Sequence, residues 1–385
     1  GAGGRDIYVL DITDPVNPEL LWERSDNAGG QLGEGINEVS VIPTLIPASG
    51  NNPAEINWVL AMGNGYNSSD ETARLLLFDL DDGSLEATVP VGVPGGNGLS
   101  GITAINASGK KPVADTIYGG DLNGDLWKFD QDKNGDWKVA IQSGKNAVPL
   151  FDGEPSQPIT SRPDLAKVEF EEDEDRVTMV YFGTGKYLEL NDVTDASIQV
   201  LYGIKDTSST VDKDDLLEQT IEFQTELNVD GRSVPIRVVS DNIPSDKDNS
   251  DDAGWSMELI YNNNAEGERS VVRPVIHETA VRFTTLIPSS DPCSGGGNSW
   301  VMALDKGTGG RIAEGVFDLN DDGVVDEDDF VGVNQDKIPP SGFGSDKLLT
   351  RPNILGGPGG VDVVHSSDSS GDVTRFNIKG SGELI

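Results

Sequence analysis

One pattern recurs along the chain and limits what it can fold into: an apolar strand, a Gly or Asp turn, then a second apolar strand ending in Asp. The second strand first reads Asp6-Ile7-Tyr8-Val9-Leu10-Asp11. It returns as Leu75-Leu76-Leu77-Phe78-Asp79, Leu126-Trp127-Lys128-Phe129-Asp130, Leu201-Tyr202-Gly203-Ile204-Lys205-Asp206 and Val301-Met302-Ala303-Leu304-Asp305. A weaker copy is Val373-Thr374-Arg375-Phe376-Asn377. Strand-like segments precede most copies, at 58–62, 116–119, 177–182, 281–286 and 361–365, and another set lies ahead of these, around 39–45, 99–105, 158–165, 271–276 and 349–355. Three or four short antiparallel strands per unit, repeated at irregular spacing, describe the blades of a propeller, whose radial repetition leaves each sheet only short, protected edges. Long helical periodicity is absent. Five units are fairly complete, a partial one stands at the N-terminus, and 207–268 offers strand candidates at 221–223, 234–239 and 255–261 for one more degenerate blade. The expected fold is all-β, a modified β-propeller of six or seven blades with irregular loop insertions, formed by residues 1–385 as a single domain.

Composition agrees with short strands and tight turns: the 385 residues include 47 Gly and 21 Pro. No stretch approaches the ~18–20 apolar residues of a membrane-spanning helix. The chain opens with Gly1-Ala2-Gly3-Gly4 and runs straight into a strand, so it is expected to be part of something longer. The net charge is −38, from 66 acidic and 28 basic residues, which argues against nucleic-acid partners and anionic membrane surfaces. Such a charge suits solubility in a salty medium, or local gathering of carboxylates where divalent cations bind. The acidic runs 171–175 and 246–252 read as solvated loops. A single cysteine, Cys293, forms no disulfide within the chain; it reads as a buried small residue in a turn, or as the partner of a cysteine outside this sequence.

Residues 318–329 carry the one chemically specific motif, Asp-Leu-Asn-Asp-Asp-Gly-Val-Val-Asp-Glu-Asp-Asp. Calcium is a hard ion that takes six to eight oxygens, and a twelve-residue loop can wrap it with ligands at positions 1, 3, 5, 7, 9 and 12. Those positions hold Asp318, Asn320, Asp322, Val324 through its carbonyl, Asp326 and Asp329. Gly323 falls at position six, where the chain turns sharply, and Val325 at position eight can anchor the loop to the core. Position twelve is Asp where Glu is usual; the shorter arm still reaches an ion, or binds through one oxygen and tolerates magnesium better. One Ca2+ is the expected cofactor. No helical pattern flanks the loop, so it is expected between strands or blades. Asp130-Gln131-Asp132-Lys133-Asn134-Gly135-Asp136 begins in the same way, but Lys138 and Ile141 stand where ligands should, and it reads as a hairpin turn. The segment 106–115 has Lys110 and Lys111 where carboxylates are needed, and no metal is expected there.

No catalytic constellation stands out. His277 and His365 sit in apolar, strand-like runs outside any metal motif. No Gly-x-Ser-x-Gly elbow or Walker loop occurs, and Gly183-Thr184-Gly185-Lys186 reads as a hairpin turn with Tyr187-Leu188 continuing as strand. Carboxylates are too numerous for any pair to nominate a glycosidase acid and nucleophile. Quinone-dependent dehydrogenases are propellers with calcium, but a self-sufficient twelve-residue cage leaves little coordination open for a cofactor. No enzyme activity and no catalytic residue are expected.

Several phrases in order resemble the C-terminal propeller of the type IV pilus tip-associated proteins, the PilC/PilY group. They are the opening through Asp11, Gly63-Asn64-Gly65-Tyr66-Asn67, Tyr118-Gly119-Gly120-Asp121-Leu122-Asn123-Gly124-Asp125 running into Leu126–Asp130, Phe182-Gly183-Thr184-Gly185-Lys186-Tyr187-Leu188, Phe283-Thr284-Thr285-Leu286-Ile287-Pro288-Ser289-Ser290-Asp291-Pro292-Cys293, and 299–310 with the acidic loop. The resemblance implies a modified seven-bladed propeller with the loop 318–329 inserted in a late blade. It implies a role in pilus biogenesis and surface adhesion, with calcium in the loop controlling extension against retraction, and with Asp318, Asn320, Asp322, Val324 and Asp326 as ligands. Implied partners are pilus components (minor pilins) and a host-cell or abiotic surface. The implied location is the cell surface or pilus tip of a Gram-negative bacterium, reached by secretion across the inner membrane, with outer-membrane association as a further option. No Arg-Gly-Asp integrin motif is present.

Overall fold

Aspartate at the end of a strand is the local device that builds this chain. The carboxylates of Asp11, Asp79 and Asp305 each accept backbone N–H groups two or three residues on: Thr13 for Asp11, Asp81 and Asp82 for Asp79, and Gly307 and Thr308 for Asp305. Such side-chain turns reverse the strand and satisfy amides that the ladder has just released. That accounts for the terminal Asp in these three copies; Asp130 instead accepts the Thr116 hydroxyl (2.9 Å). The computed structural model describes residues 4–25, 30–35, 38–50, 52–109, 112–170, 176–229, 231–243, 253–291, 296–333, 336–357 and 360–380. The runs 171–175 and 246–252 and Cys293 lie outside these. The chain forms two compact units, 1–163 with 207–212, and 164–206 with 213–385.

In the first unit, a hairpin of Ile7–Asp11 and Glu19–Arg24 precedes two antiparallel four-stranded sheets, each in sequence order. One is Ser40–Ile46, Glu55–Gly63, Ala73–Asp79 and Leu85–Val91; the other is Leu99–Ile105, Thr116–Asp121, Leu126–Gln131 and Trp137–Val139. Leu75 and Leu77 pack with Leu99, Ile117 and Trp127, while Leu76 and Phe78 pack with Trp22 and Leu32 on the opposite face. A central strand covered on both faces needs an unbroken apolar run, which explains Leu75-Leu76-Leu77-Phe78. Asp121 is fully buried and accepts hydrogen bonds from Asn97 Nδ2 (2.9 Å), Trp127 Nε1 (2.8 Å) and the amides of Asn123 and Asp125. Gly124 closes this turn with φ +87°, and a Cβ there would meet Glu154 O at 2.5 Å. The Asp132–Asp136 turn is the expected hairpin, with Asp132 accepting the amides of Asn134 and Asp136.

The second unit holds three main sheets, of five, six and four strands. A five-stranded sheet runs Asp164–Val168, Val177–Gly183, Val200–Lys205, Gly254–Glu258 and Leu217–Gln219, the last pair parallel. A six-stranded sheet runs Ile221–Val229, Arg232–Val239, Gly342–Ser345, Gly297–Asp305, Ala280–Pro288 and Val275–His277. A four-stranded sheet runs Phe317–Asp318, Val373–Lys379, Val361–Ser367 and Asn353–Leu355. The only helices among the described residues are short 3-10 turns such as Leu190–Thr194 and Lys213–Asp215.

Three sequence expectations need correcting. Residues 207–268 do not make a sheet of their own. Their first and last strands join the five-stranded sheet, while the long hairpin Ile221–Val229/Arg232–Val239 joins the six-stranded one through Ile236 and Arg237. The outer strands expected from 158, 271 and 349 instead begin at Asp164, Val275 and Asn353. Each follows an Arg-Pro pair, Arg162-Pro163, Arg273-Pro274 and Arg351-Pro352, because proline has no N–H for the ladder, which can begin only at the next residue. Finally, Gly183-Thr184-Gly185-Lys186 is no hairpin turn: the strand ends at Gly183 and the next begins at Val200. The buried guanidinium of Arg269 holds the connection by donating to the carbonyls of Lys186, Asp192 and Asp195.

Candidate metal centre

The loop 318–329 starts on the last residue of a strand. Phe317 and Asp318 pair antiparallel with Ile378 and Asn377 of the C-terminal strand. Phe317 is buried against Phe343 and Phe376, which fixes the loop's entry. Its exit is the hairpin Val331–Val333/Asp336–Ile338, with Val331 buried. The loop therefore lies between strands, as expected, and no helix flanks it.

Acidic side chains organise the loop through its own amides. Asp318 accepts from Asp322 N (3.2 Å) and Gly323 N (3.0 Å), Asn320 from Asp322 N (2.9 Å), and Asp322 from Val324 N (2.9 Å). Asp329 accepts from Leu319 N (2.7 Å), Asn320 N (3.2 Å) and Asp326 N (3.1 Å), and Asp326 from Asp328 N (2.8 Å). Gly323 has φ +86° with open space where a Cβ would sit, so conformation and not crowding requires glycine there. Asp321 also takes positive φ, +58°, which a short polar side chain tolerates. Val325 is half-buried beside Gly315, matching its expected anchoring place, while Val324 is exposed.

Burial divides the six expected residues. Asp318 and Asp329 are 3% and 1% exposed, whereas Asp322, Val324 and Asp326 face solvent and Asn320 is intermediate. Burial pushes the Asp329 carboxyl above the usual carboxylate range, and the charge of Asp318 adds to that, against three backbone N–H bonds that lower it. Among the described residues neither Asp318 nor Asp329 pairs with a Lys or Arg. Two buried carboxylates without a countercharge are costly. Each carboxylate offers about four lone-pair sites, so the N–H bonds leave acceptor capacity over. The donors are all oxygens, the set a hard divalent cation takes. The side chains do not, however, converge: among the described residues no three His, Cys, Asp or Glu form a metal cluster. They are ordered along the loop, and Asp322 and Asp326 would have to swing inward to share one ion.

Sequence reasoning missed one neighbour of the loop. Asn377 Nδ2 donates to Asp318 Oδ2 (3.2 Å) and Asp321 Oδ1 (3.4 Å). It lies 59 residues from Asp318, and no spacing rule reaches that far. A cleft of about 440 Å³ runs alongside, lined by Asp318, Asp321, Phe376 and Asn377 among others. One of the two histidines also has an unforeseen role: His277 Nε2 lies 2.7 Å from Oδ2 of the buried Asp362, joining the six- and four-stranded sheets.

Repeated antiparallel sheets, strand-ending aspartate turns and an acidic loop on a strand end define an all-β protein of the propeller class. A family model described as the PilY1 beta-propeller domain matches residues 1–228. The chain belongs to the PilY1 β-propeller family. It is 32% identical over 394 residues to a type IV pilus biogenesis factor PilY1 homolog of Xylella fastidiosa, covering 100% of this chain and 28% of that protein. It is 32% identical over 397 residues to the type IV pilus biogenesis factor PilY1 of Pseudomonas aeruginosa strain PAO1, covering 93% and 33%. It thus spans about a third of the length of these relatives. The crystal structure of the P. aeruginosa PilY1 C-terminal domain superposes with TM-score 0.80 at 28% identity, over 98% of this chain and 79% of that one.

Proposed function

We propose that this chain is the calcium-responsive propeller of a type IV pilus biogenesis factor, and that the loop 318–329 is its sensor. The observation that carries the reading is the pair of buried, unneutralised carboxylates, Asp318 and Asp329, at the two ends of an all-oxygen loop. A bound Ca2+ would supply the missing positive charge. Asp318, Asn320, Asp322, Asp326 and Asp329 would offer side-chain oxygens, and Val324 its carbonyl. Asp318 and Asp329 are already set by backbone N–H bonds, so the folded chain fixes the loop's ends. The exposed Asp322 and Asp326 do the moving, which makes the loop's shape depend on the cation. On this reading the loop's state decides whether pili stay extended against retraction, with minor pilins and the surface being gripped as partners, at the cell surface or pilus tip. The names of the relatives, which the chain matches over nearly its whole length, support the pilus assignment.

The test pairs calorimetry with pilus counts. Asp322→Ala should weaken calcium binding by more than about tenfold, since even supporting residues of metal sites cost that much. The variant should keep the wild-type circular dichroism and lose surface pili. Normal piliation with a calcium-free loop would sink the regulatory claim, and an unchanged affinity would sink the ligand assignment.

A further inference from the structure

Asp318 belongs to two structures at once. It is the first residue of the acidic loop and the last residue of a two-residue strand on the C-terminal strand Val373–Lys379. Its Oδ2 accepts from Gly323 N inside the loop (3.0 Å) and from Asn377 Nδ2 across the ladder (3.2 Å). The same amide of Asn377 lies 3.4 Å from Asp321 Oδ1. Two residues further, Lys379 N donates to Val316 O (2.8 Å), and one residue back, Phe376 packs edge-on against Phe343 at 4.4 Å. The ladder between 317–318 and 377–378 is the only strand pairing on that side of the C-terminal strand among the described residues. Resting on the calcium reading above, we propose that Asn377 is a positioning residue that couples the loop to the C-terminal strand, so that cation loading and docking of residues 373–379 stabilise each other.

The physical reason is charge crowding at a hinge. The loop holds Asp318, Asp321, Asp322, Asp326, Glu327, Asp328 and Asp329 with no Lys or Arg between them. Lys337, 3.5 Å from Asp328, is one cation against seven acids; without an ion the remaining charges repel, and Asp318 is the one whose displacement breaks a strand pair. With the loop's charge offset by the ion, Asp318 stays where its backbone N–H bonds hold it, Asp318 Oδ2 and Asp321 Oδ1 remain in reach of the Asn377 amide, and the two-residue ladder persists. Coupling of this kind is reciprocal: anything that frees the C-terminal strand must weaken the loop's grip on the ion by the same factor. Asn377 itself donates through nitrogen and ligates nothing.

The experiment is hydrogen–deuterium exchange on the 385-residue chain in excess Ca2+ and in EDTA, with calorimetry on the same samples. In wild type, exchange in 373–379, read at the Lys379 amide, should slow at least fivefold with Ca2+, the low end of typical coupling. Asn377→Ala should still bind Ca2+, at least fivefold more weakly, and should lose most of that slowing. Asn377→Asp, which keeps the shape, sets a carboxylate against Asp318; its strand should exchange faster than wild type in EDTA and regain protection in Ca2+. A merely structural asparagine would shift exchange equally with and without the ion. Binding with protection confined to 318–329, or an unchanged calcium effect in both variants, would overturn the coupling and leave the calcium reading intact. No binding by wild type would overturn the calcium reading itself.

Discussion

Single aspartates do different work here according to what surrounds them. Asp125 shows how far that can go. It is partly buried beside Asp121 and accepts from Gly153 N (3.1 Å). Burial first, and then the charge of Asp121, push its carboxyl up to about 7. A raised folded-state value means that the folded chain holds this proton more tightly than the unfolded chain does. Its contribution to stability is therefore full below the ordinary carboxylate value and is lost progressively as pH rises from there through about 7. Asp121 is pushed the same way by its own burial. The urea midpoint should fall between pH 5 and pH 8, and Asp125→Asn should flatten that fall while keeping an acceptor for Gly153. An Asn variant with the wild-type pH slope would place the effect elsewhere. The turn itself was legible as Asp121-Leu122-Asn123-Gly124-Asp125, but the shift was not, because it depends first on how deeply the folded chain buries Asp125 and then on the charge of Asp121 beside it.

At the scale of elements, strands were easier to read than their partners. Apolar runs ending in Asp mark the central strands, since both periodicity and turn chemistry are local. The Arg-Pro pairs before Asp164, Val275 and Asn353 are a second local signal, since a residue without an N–H marks where a ladder can begin. Sheet membership is different. The hairpin 221–239 joins the six-stranded sheet, and a buried ion pair helps hold that sheet to the loop at Glu268. Arg237 donates to Glu268 at 2.7 and 2.8 Å and lies 3.8 Å over the Trp300 ring, with both charged side chains almost fully buried. Glu268→Ala would strand the guanidinium and should cost about 3–5 kcal/mol in urea unfolding. Glu268→Gln, which keeps an acceptor, should cost less. Equal losses in the two variants would mean that packing, not the unpaired charge, sets the cost.

For the whole molecule, with its net charge of −38, the proposed calcium site would make a divalent cation a structural ligand as well as a signal. A ligand that binds only the folded state stabilises it by about 2.7 kcal/mol at 100 times its Kd. Ca2+ should accordingly raise the thermal midpoint, magnesium should raise it less, and Asp322→Ala should abolish the difference between them. A calcium shift that survives in the variant would point to another site. Among the described residues no helix is long and apolar enough to cross a membrane.

The sequence by itself determined what depends on near neighbours: the strands, the aspartate turns, the all-β class and the six aligned oxygens of 318–329. Tertiary structure alone decided which sheet each strand joined, that Asp318 and Asp329 are buried while Asp322 and Asp326 are not, and that Asn377 stands at the loop's door. Turn chemistry acts over a few residues, whereas burial and cross-sheet hydrogen bonds join residues tens of positions apart. Only the folded chain brings those together.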